Sequence, residues 1–186
     1  MAQSRKKILA ISGSTRRNST NHRLINAISM LSKEIFDVQF YKDLSSLPHF
    51  NPDTENVPTE IKDFKELLKG CDGVIICTPE YAHGVPGTLK NAIDWTVATS
   101  DFSHKPTLLI TASTDGKFAH HSLIETLRVI EVENIDELQL LISFASAKIN
   151  HENKIIDEDL LSVIKKLIAD LNKVIECKET KSENLN

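Results

Sequence analysis

A chain of 186 residues, 40% hydrophobic and 26% charged, is long enough for one soluble domain with a sizeable core. Its net charge of −4 excludes a broad basic surface for nucleic acid or anionic lipid, so any anion site must be local. No apolar run approaches the roughly 18 residues of a membrane span, and Cys71, Cys77 and Cys177 are too scattered for a CxxC or metal pattern, which fits a reducing cytoplasm.

The short apolar run 7–12 reads as a buried strand, with Ser12, Gly13 and Ser14 cutting it too short for a signal peptide. Leu24, Ile25, Ala27, Ile28 and Leu31 mark an amphipathic helix from about Thr20 to Lys33. Residues 36–41 alternate apolar and polar as a second strand. The stretch 44–58, interrupted by Pro48, Pro52 and Pro58, reads as a loop, and Ile61, Phe64, Leu67 and Leu68 give a second helix closed by Gly70. Residues 73–78, "GVIICT", are apolar on both faces, as a central parallel strand should be. A helix over about 86–98, a strand at 106–113, a helix at 118–131, a strand within 136–143 and a helix at about 157–176 follow. The tail from 177 to 186 lacks an apolar stripe and is expected to be mobile beyond a single domain spanning 1–176.

The alternation βαβαβαβαβα implies an α/β fold: a doubly wound parallel sheet of five strands with helices on both faces. Five strands favour the flavodoxin-like order 2-1-3-4-5, in which ligands sit beyond the carboxyl ends of the strands, near the switch between strands 1 and 3. Two loops meet there. The first, "SGSTRRNSTN" at 12–21, leads into a helix N-terminus, where unpaired N–H groups and a partial positive charge suit a phosphate. Gly13 allows a tight turn, Ser14, Thr15, Ser19, Thr20 and Asn21 add donors, and Arg16 and Arg17 add charge. Locally, a mere helix cap at Ser19 or Thr20 with solvated arginines is an equal reading; the topological position favours the anion site. The loop is neither a Walker A motif nor a GxGxxG, and a monophosphate at this position suggests FMN.

The second loop, 78–95, reads "TPEYAHGVPGTLKNAIDW". Pro79 fixes the exit from the sheet, Gly84 allows positive φ, and Pro86 suits the start of a helix. Exposed N–H groups here can bond a flavin edge, and Tyr81 can pack on a ring or at a subunit interface.

Together the loops resemble the NAD(P)H-dependent FMN reductase family, which includes quinone, azo and chromate reductases. Gly13, Ser14, Arg16, Ser19 and Asn21 match its first motif, GS-x-R-x-x-S-x-N. Pro79, Glu80, Tyr81, Pro86, Gly87, Leu89, Lys90, Asn91, Ala92, Ile93, Asp94 and Trp95 match its second. The resemblance spans roughly residues 6–172. It implies that Gly13, Ser14, Arg16, Ser19, Thr20 and Asn21 surround the FMN phosphate. It also implies that Pro79, Glu80, Tyr81, Ala82, His83, Gly84 and Ser113 line the ring. Arg17 is left as a second phosphate ligand or a solvated neighbour. The implied reaction carries hydride from NADPH or NADH through FMN to a quinone, azo compound, flavin or similar small acceptor. No side chain is needed as acid or base, and no metal is needed. A cytoplasmic homodimer or homotetramer with FMN near the interface is implied. Two departures stand out. Ala82 replaces the usual Asn, and the loop after strand 4 keeps Gly116 alone, with His120 and His121 near where small residues would admit substrate. Adjacent histidines on a helix diverge, so a surface or substrate-pocket role outranks metal. Asn91, Asp94 and Trp95 are expected to pack, and Glu80 to orient its loop. The alternatives are a flavodoxin-like electron carrier and a catalytically weak regulatory member.

Overall fold

The structure, a computed structural model, describes residues 4–42 and 44–183. Five strands, β1 (Lys6–Ser12), β2 (Phe36–Tyr41), β3 (Gly73–Thr78), β4 (Thr107–Ala112) and β5 (Gln139–Ile142), form one sheet. Its order is β2-β1-β3-β4-β5 and every pairing is parallel, as the alternating pattern requires. Helices α1 (Thr20–Leu31), α2 (Thr59–Gly70), α3 (Gly87–Val97), α4 (Lys117–Val129) and α5 (Glu158–Glu183) make the crossovers and the final layer. The loop at 44–58 carries a short 3-10 turn, Leu44–Ser46.

Each strand divides its side chains between two cores because successive residues point to opposite faces. Ile8, Ala10, Ile75 and Ile110 meet Leu24, Ile28, Ile164 and Leu171 from α1 and α5. Leu9, Ile11, Ile76 and Leu109 meet Phe64, Ile93 and Leu123 from α2, α3 and α4. β3 and β4 are buried at every residue, which explains why their sequences lack polar alternation.

The carboxyl ends of β1, β3 and β4 are level. Ser12 is in register with Cys77, and Thr78 with Thr111. The loops after these strands therefore leave the sheet side by side.

One expectation is corrected. α5 runs on to Glu183 rather than ending near Glu176, so the tail from 177 is helical as far as the described residues extend. Contacts from distant segments hold it: Lys6 Nζ lies 2.5 Å from a Glu179 carboxylate oxygen, and Lys178 Nζ donates to the His104 carbonyl at 2.5 Å. Residues 184–186 of the expected tail lie outside the described residues.

Candidate functional site

The first loop is pinned at both ends. Gly13 N–H donates to the Cys77 carbonyl at 2.9 Å, which brings its backbone against β3. A Cβ at residue 13 would overlap Thr78 Oγ1 and stand 2.9 Å from Thr78 Cβ. Close approach, rather than turn conformation, is therefore what demands glycine here. Ser14 N–H donates to Ser12 Oγ at 3.2 Å, and Ser14 Oγ accepts the Arg16 N–H at 3.4 Å. At the far end Ser19 is the N-cap of α1, its Oγ accepting the His22 N–H at 3.1 Å. The Ser19 hydroxyl keeps its own hydrogen for a ligand. No acidic residue stands in the first turn of α1, so the positive end of the helix is not already neutralised.

Two side chains from that first turn lock the loop. The ring nitrogens of His22 lie 3.0 Å from the carbonyl oxygens of Arg17 and of Ser14, and the ring meets Phe40 edge-on at 5.1 Å. Asn21 points inward. Its Nδ2 donates to the Ala112 carbonyl at 3.1 Å, and its Oδ1 accepts the Cys77 thiol hydrogen at 3.2 Å. Burial pushes the Cys77 thiol far above its ordinary pKa, so it stays a donor. The Asn21 amide is thus engaged with the core, which leaves its backbone N–H as what it offers a phosphate.

The second loop closes on itself. Tyr81 and Gly84 exchange N–H···O=C bonds at 3.1 and 2.9 Å, with Ala82 at φ 48° and His83 at φ 58° between them. Two successive left-handed residues between such bonds make a type I′ turn. Positive φ therefore falls on Ala82 and His83, not on Gly84 as expected. Glu80 N–H donates to Ser113 Oγ at 3.4 Å, while Glu80 Oε2 accepts the Ala119 N–H at 2.8 Å. Gly116, the N-cap of α4, has no side chain to cap with, and Glu80 supplies the missing acceptor. On α3, Asn91 Nδ2 and Trp95 Nε1 both donate to the Pro48 carbonyl, at 3.0 and 2.8 Å, and tie down the 44–58 loop. Lys90 pairs with Asp94 one turn on, at 2.5 Å.

A groove of about 410 Å³ lies between the loops, a size suited to a cofactor. Ser14, Arg16, Ser19, Thr20 and Asn21 line one side; Pro79, Glu80, Tyr81 and Ser113 line the other. Nine of the expected site residues thus come together. Gly13 supports the loop from below. Ala82, His83 and Gly84 are outside the lining, and the His83 ring stacks on Phe118 at 4.4 Å. Arg23, Asn18, Thr114 and Ser146 also line the groove and were not expected. Arg23 sits one turn beyond Thr20, whose Oγ1 it bonds at 3.1 Å. That spacing alone could have found it. Ser146 follows β5, whose carboxyl end the general rule for such sheets already points to. Arg17 does not line this groove.

His120 is corrected. His120 is buried, with Nδ1 2.9 Å from Thr111 Oγ1 and Nε2 3.0 Å from Gln139 Oε1, so it braces β4 against β5 rather than guarding a substrate mouth. Burial holds its pKa below the ordinary value; the Gln139 hydrogen bond opposes the shift and the His121 charge adds to it. His121 is exposed.

The donor set fits a phosphate. Two guanidinium groups, seven hydroxyls and the first N–H groups of α1 face a groove whose one carboxylate among the described residues, Glu80, is already turned to Ala119. Arg23 Nε is buried without a partner among the described residues, a donor in want of an acceptor.

Known proteins resemble this chain in sequence and in fold. A family model described as NADPH-dependent FMN reductase matches residues 6–147. The chain is 29% identical over 173 residues to an NAD(P)H-dependent FMN reductase of Pseudomonas aeruginosa, covering 89% of this chain and 92% of the relative. It is 29% identical over 160 residues to a 2-hydroxy-1,4-benzoquinone reductase of a Burkholderia species, covering 82% and 87%. Among solved structures, a flavoenzyme NAD(P)H:(acceptor) oxidoreductase of Paracoccus denitrificans superposes with a TM-score of 0.76 at 23% identity, covering 92% of this chain and 97% of that one, which shows the shared fold.

Proposed function

The chain belongs to the NADPH-dependent FMN reductase family, and on that footing we propose that the groove between its first and second loops is where FMN binds and where donor and acceptor meet. The observation that carries this is the meeting of Arg16 and the open N-terminus of α1 with Pro79, Glu80 and Tyr81 across one groove. Arg16, the hydroxyls of Ser14, Ser19 and Thr20, and the backbone N–H of Asn21 hold the phosphate. The N–H groups of Ala82 and His83, which the turn's own bonds do not use, are left for the polar edge of the flavin ring. Glu80 and Ser113 keep that turn in place.

Bound FMN supplies a two-electron carrier between NAD(P)H and an oxidised small molecule. The protein's own part is to bind, orient and shield. Tyr81, 47% exposed, flanks the position where donor and acceptor alternate. No side chain is required to move a proton. A quinone-type acceptor is favoured, on the strength of the benzoquinone reductase relative. Exposed Tyr81 and Phe118 beside the site support a homodimer or homotetramer, and three free thiols support a cytoplasmic setting.

The test is purification followed by absorbance and turnover. The expected protein is yellow, or becomes so with FMN, and oxidises NAD(P)H in the presence of a benzoquinone. A protein that neither takes up FMN nor oxidises either donor overturns the assignment. FMN uptake without turnover would leave a carrier or a binding protein.

A further inference from the structure

We propose that Arg23, which lies outside both matched motifs, is a second guanidinium on the phosphate of the flavin, positioned for that task by His151 from the segment after β5. The inference rests on the reading that FMN occupies the groove between the first and second loops.

Arg23 stands in the first turn of α1 and lines that groove with Arg16, Ser19 and Thr20. Arg16 precedes the helix and Arg23 follows its first residues, so the two cations flank the open N–H groups in the chain between them. Thr20 Oγ1 accepts from Arg23 Nη2 at 3.1 Å, which leaves the Thr20 hydroxyl hydrogen for an anion. Arg23 Nη1 donates to His151 Nδ1 at 3.2 Å. These two bonds leave most of the guanidinium donors unused. One of them, Nε, is buried without an acceptor among the described residues, an arrangement that is costly until an acceptor arrives.

His151 sits on a built turn. Ile149 and Ile155 pair as an antiparallel bridge, and Ile149 is buried in the core. Between them Asn150 N–H donates to the Lys154 carbonyl at 2.9 Å. The Asn150 side chain closes the same turn: its Oδ1 accepts the N–H groups of Glu152 and Lys154 at 3.0 and 2.9 Å. The turn thus holds the imaginary line from core to Arg23 at a fixed length, although His151 itself is exposed. An imidazole that accepts at Nδ1 orients the cation and leaves its charge for a ligand, where a carboxylate would cancel that charge. FMN and riboflavin differ only in the phosphate, so a contact made to it shows as a loss for one and not for the other.

The experiment uses the full chain freed of flavin, titrated with FMN and with riboflavin and followed by quenching of flavin fluorescence. The variants are Arg23→Ala, Arg23→Lys, His151→Ala and His151→Asn, with Arg16→Ala alongside. Arg23→Ala should weaken FMN binding roughly ten- to hundredfold, as loss of a charge-assisted contact does, and leave riboflavin binding unchanged. Arg23→Lys keeps the charge but not the fork and should recover part of that loss. His151→Ala should weaken FMN binding alone, by about fivefold, as loss of an orienting hydrogen bond does. His151→Asn, whose amide oxygen can accept in place of Nδ1, should restore it. An equal loss for FMN and riboflavin in Arg23→Ala makes Arg23 a brace of the fold and overturns the proposal. Unchanged FMN affinity in His151→Ala overturns the positioning role. A loss in Arg16→Ala with none in Arg23→Ala overturns this proposal and keeps the phosphate site. If the wild-type chain binds neither flavin, the reading of the groove fails and the proposal falls with it.

Discussion

The carboxylate of Glu80, on the loop after β3, caps a helix that starts almost forty residues later: its Oε2 accepts the Ala119 N–H at 2.8 Å. This contact fastens the second loop to α4 and places a negative charge at the positive end of that helix. Replacing Glu80 by Ala should cost about 0.5–2 kcal/mol, the usual loss on removing a cap. Glu80→Gln, which keeps the acceptor, should cost less. Urea midpoints of the three proteins measure this, and equal midpoints would remove the capping role.

Arg16→Ala should weaken FMN binding by about 1.5–3 kcal/mol, the loss of a charge-assisted hydrogen bond, without lowering stability. Ser14→Ala should weaken it by a smaller amount, near 1 kcal/mol, as a neutral donor does. Quenching of flavin fluorescence reports both. Unchanged affinity in both variants excludes the phosphate site.

Ala82 sits at φ 48°, where a side chain costs roughly 1–2 kcal/mol unless it is Gly or, to a lesser degree, Asn or Asp. Ala82→Asn should therefore raise stability, by about 0.5–1 kcal/mol, through the turn alone. Thermal melting in the absence of FMN isolates that effect. A lower melting temperature would mean that the methyl group of Ala82 does something the turn geometry does not account for.

His120 makes stability depend on pH. Burial lowers its folded pKa below the 6.5 of a free imidazole, so the unfolded chain takes up the proton first. The stabilisation is complete above pH 6.5 and is lost as pH falls from there through the folded pKa. His120→Gln carries no such proton. Denaturation at about pH 7.5 and pH 5.5 should show wild type losing more stability on acidification than the variant. Equal losses would place the pH dependence elsewhere.

Most of the framework could be read locally. β2 and β3 begin and end where alternation and β-branched runs place them, because each strand's burial is written in its own residues. The level ends of β1 and β3 followed from topology, and with them the pairing of the two loops. What could not be read depends on partners far away in the chain. Asn21 looks like a loop donor until Ala112 and Cys77 arrive from β4 and β3 to take its amide. His120 looks like a surface residue of α4 until Thr111 and Gln139 enclose it. The end of α5 has no apolar stripe and is held by Lys6 and the His104 carbonyl. The Ala82-His83 pair breaks the usual composition of a type I′ turn, so no residue type announces it.

His22 and Asn21 have a consequence for the kinetics of loading. Side chains already present in the folded chain hold the first loop through its carbonyls and the start of its helix. The entropy of ordering that loop is therefore spent during folding and not on encounter with the flavin. Association should then proceed as a rigid docking event, set by diffusion and by the charge of Arg16, while differences in affinity among variants should appear as differences in release rate. Loosening the loop at His22 would shift part of that cost to the binding step and slow capture itself.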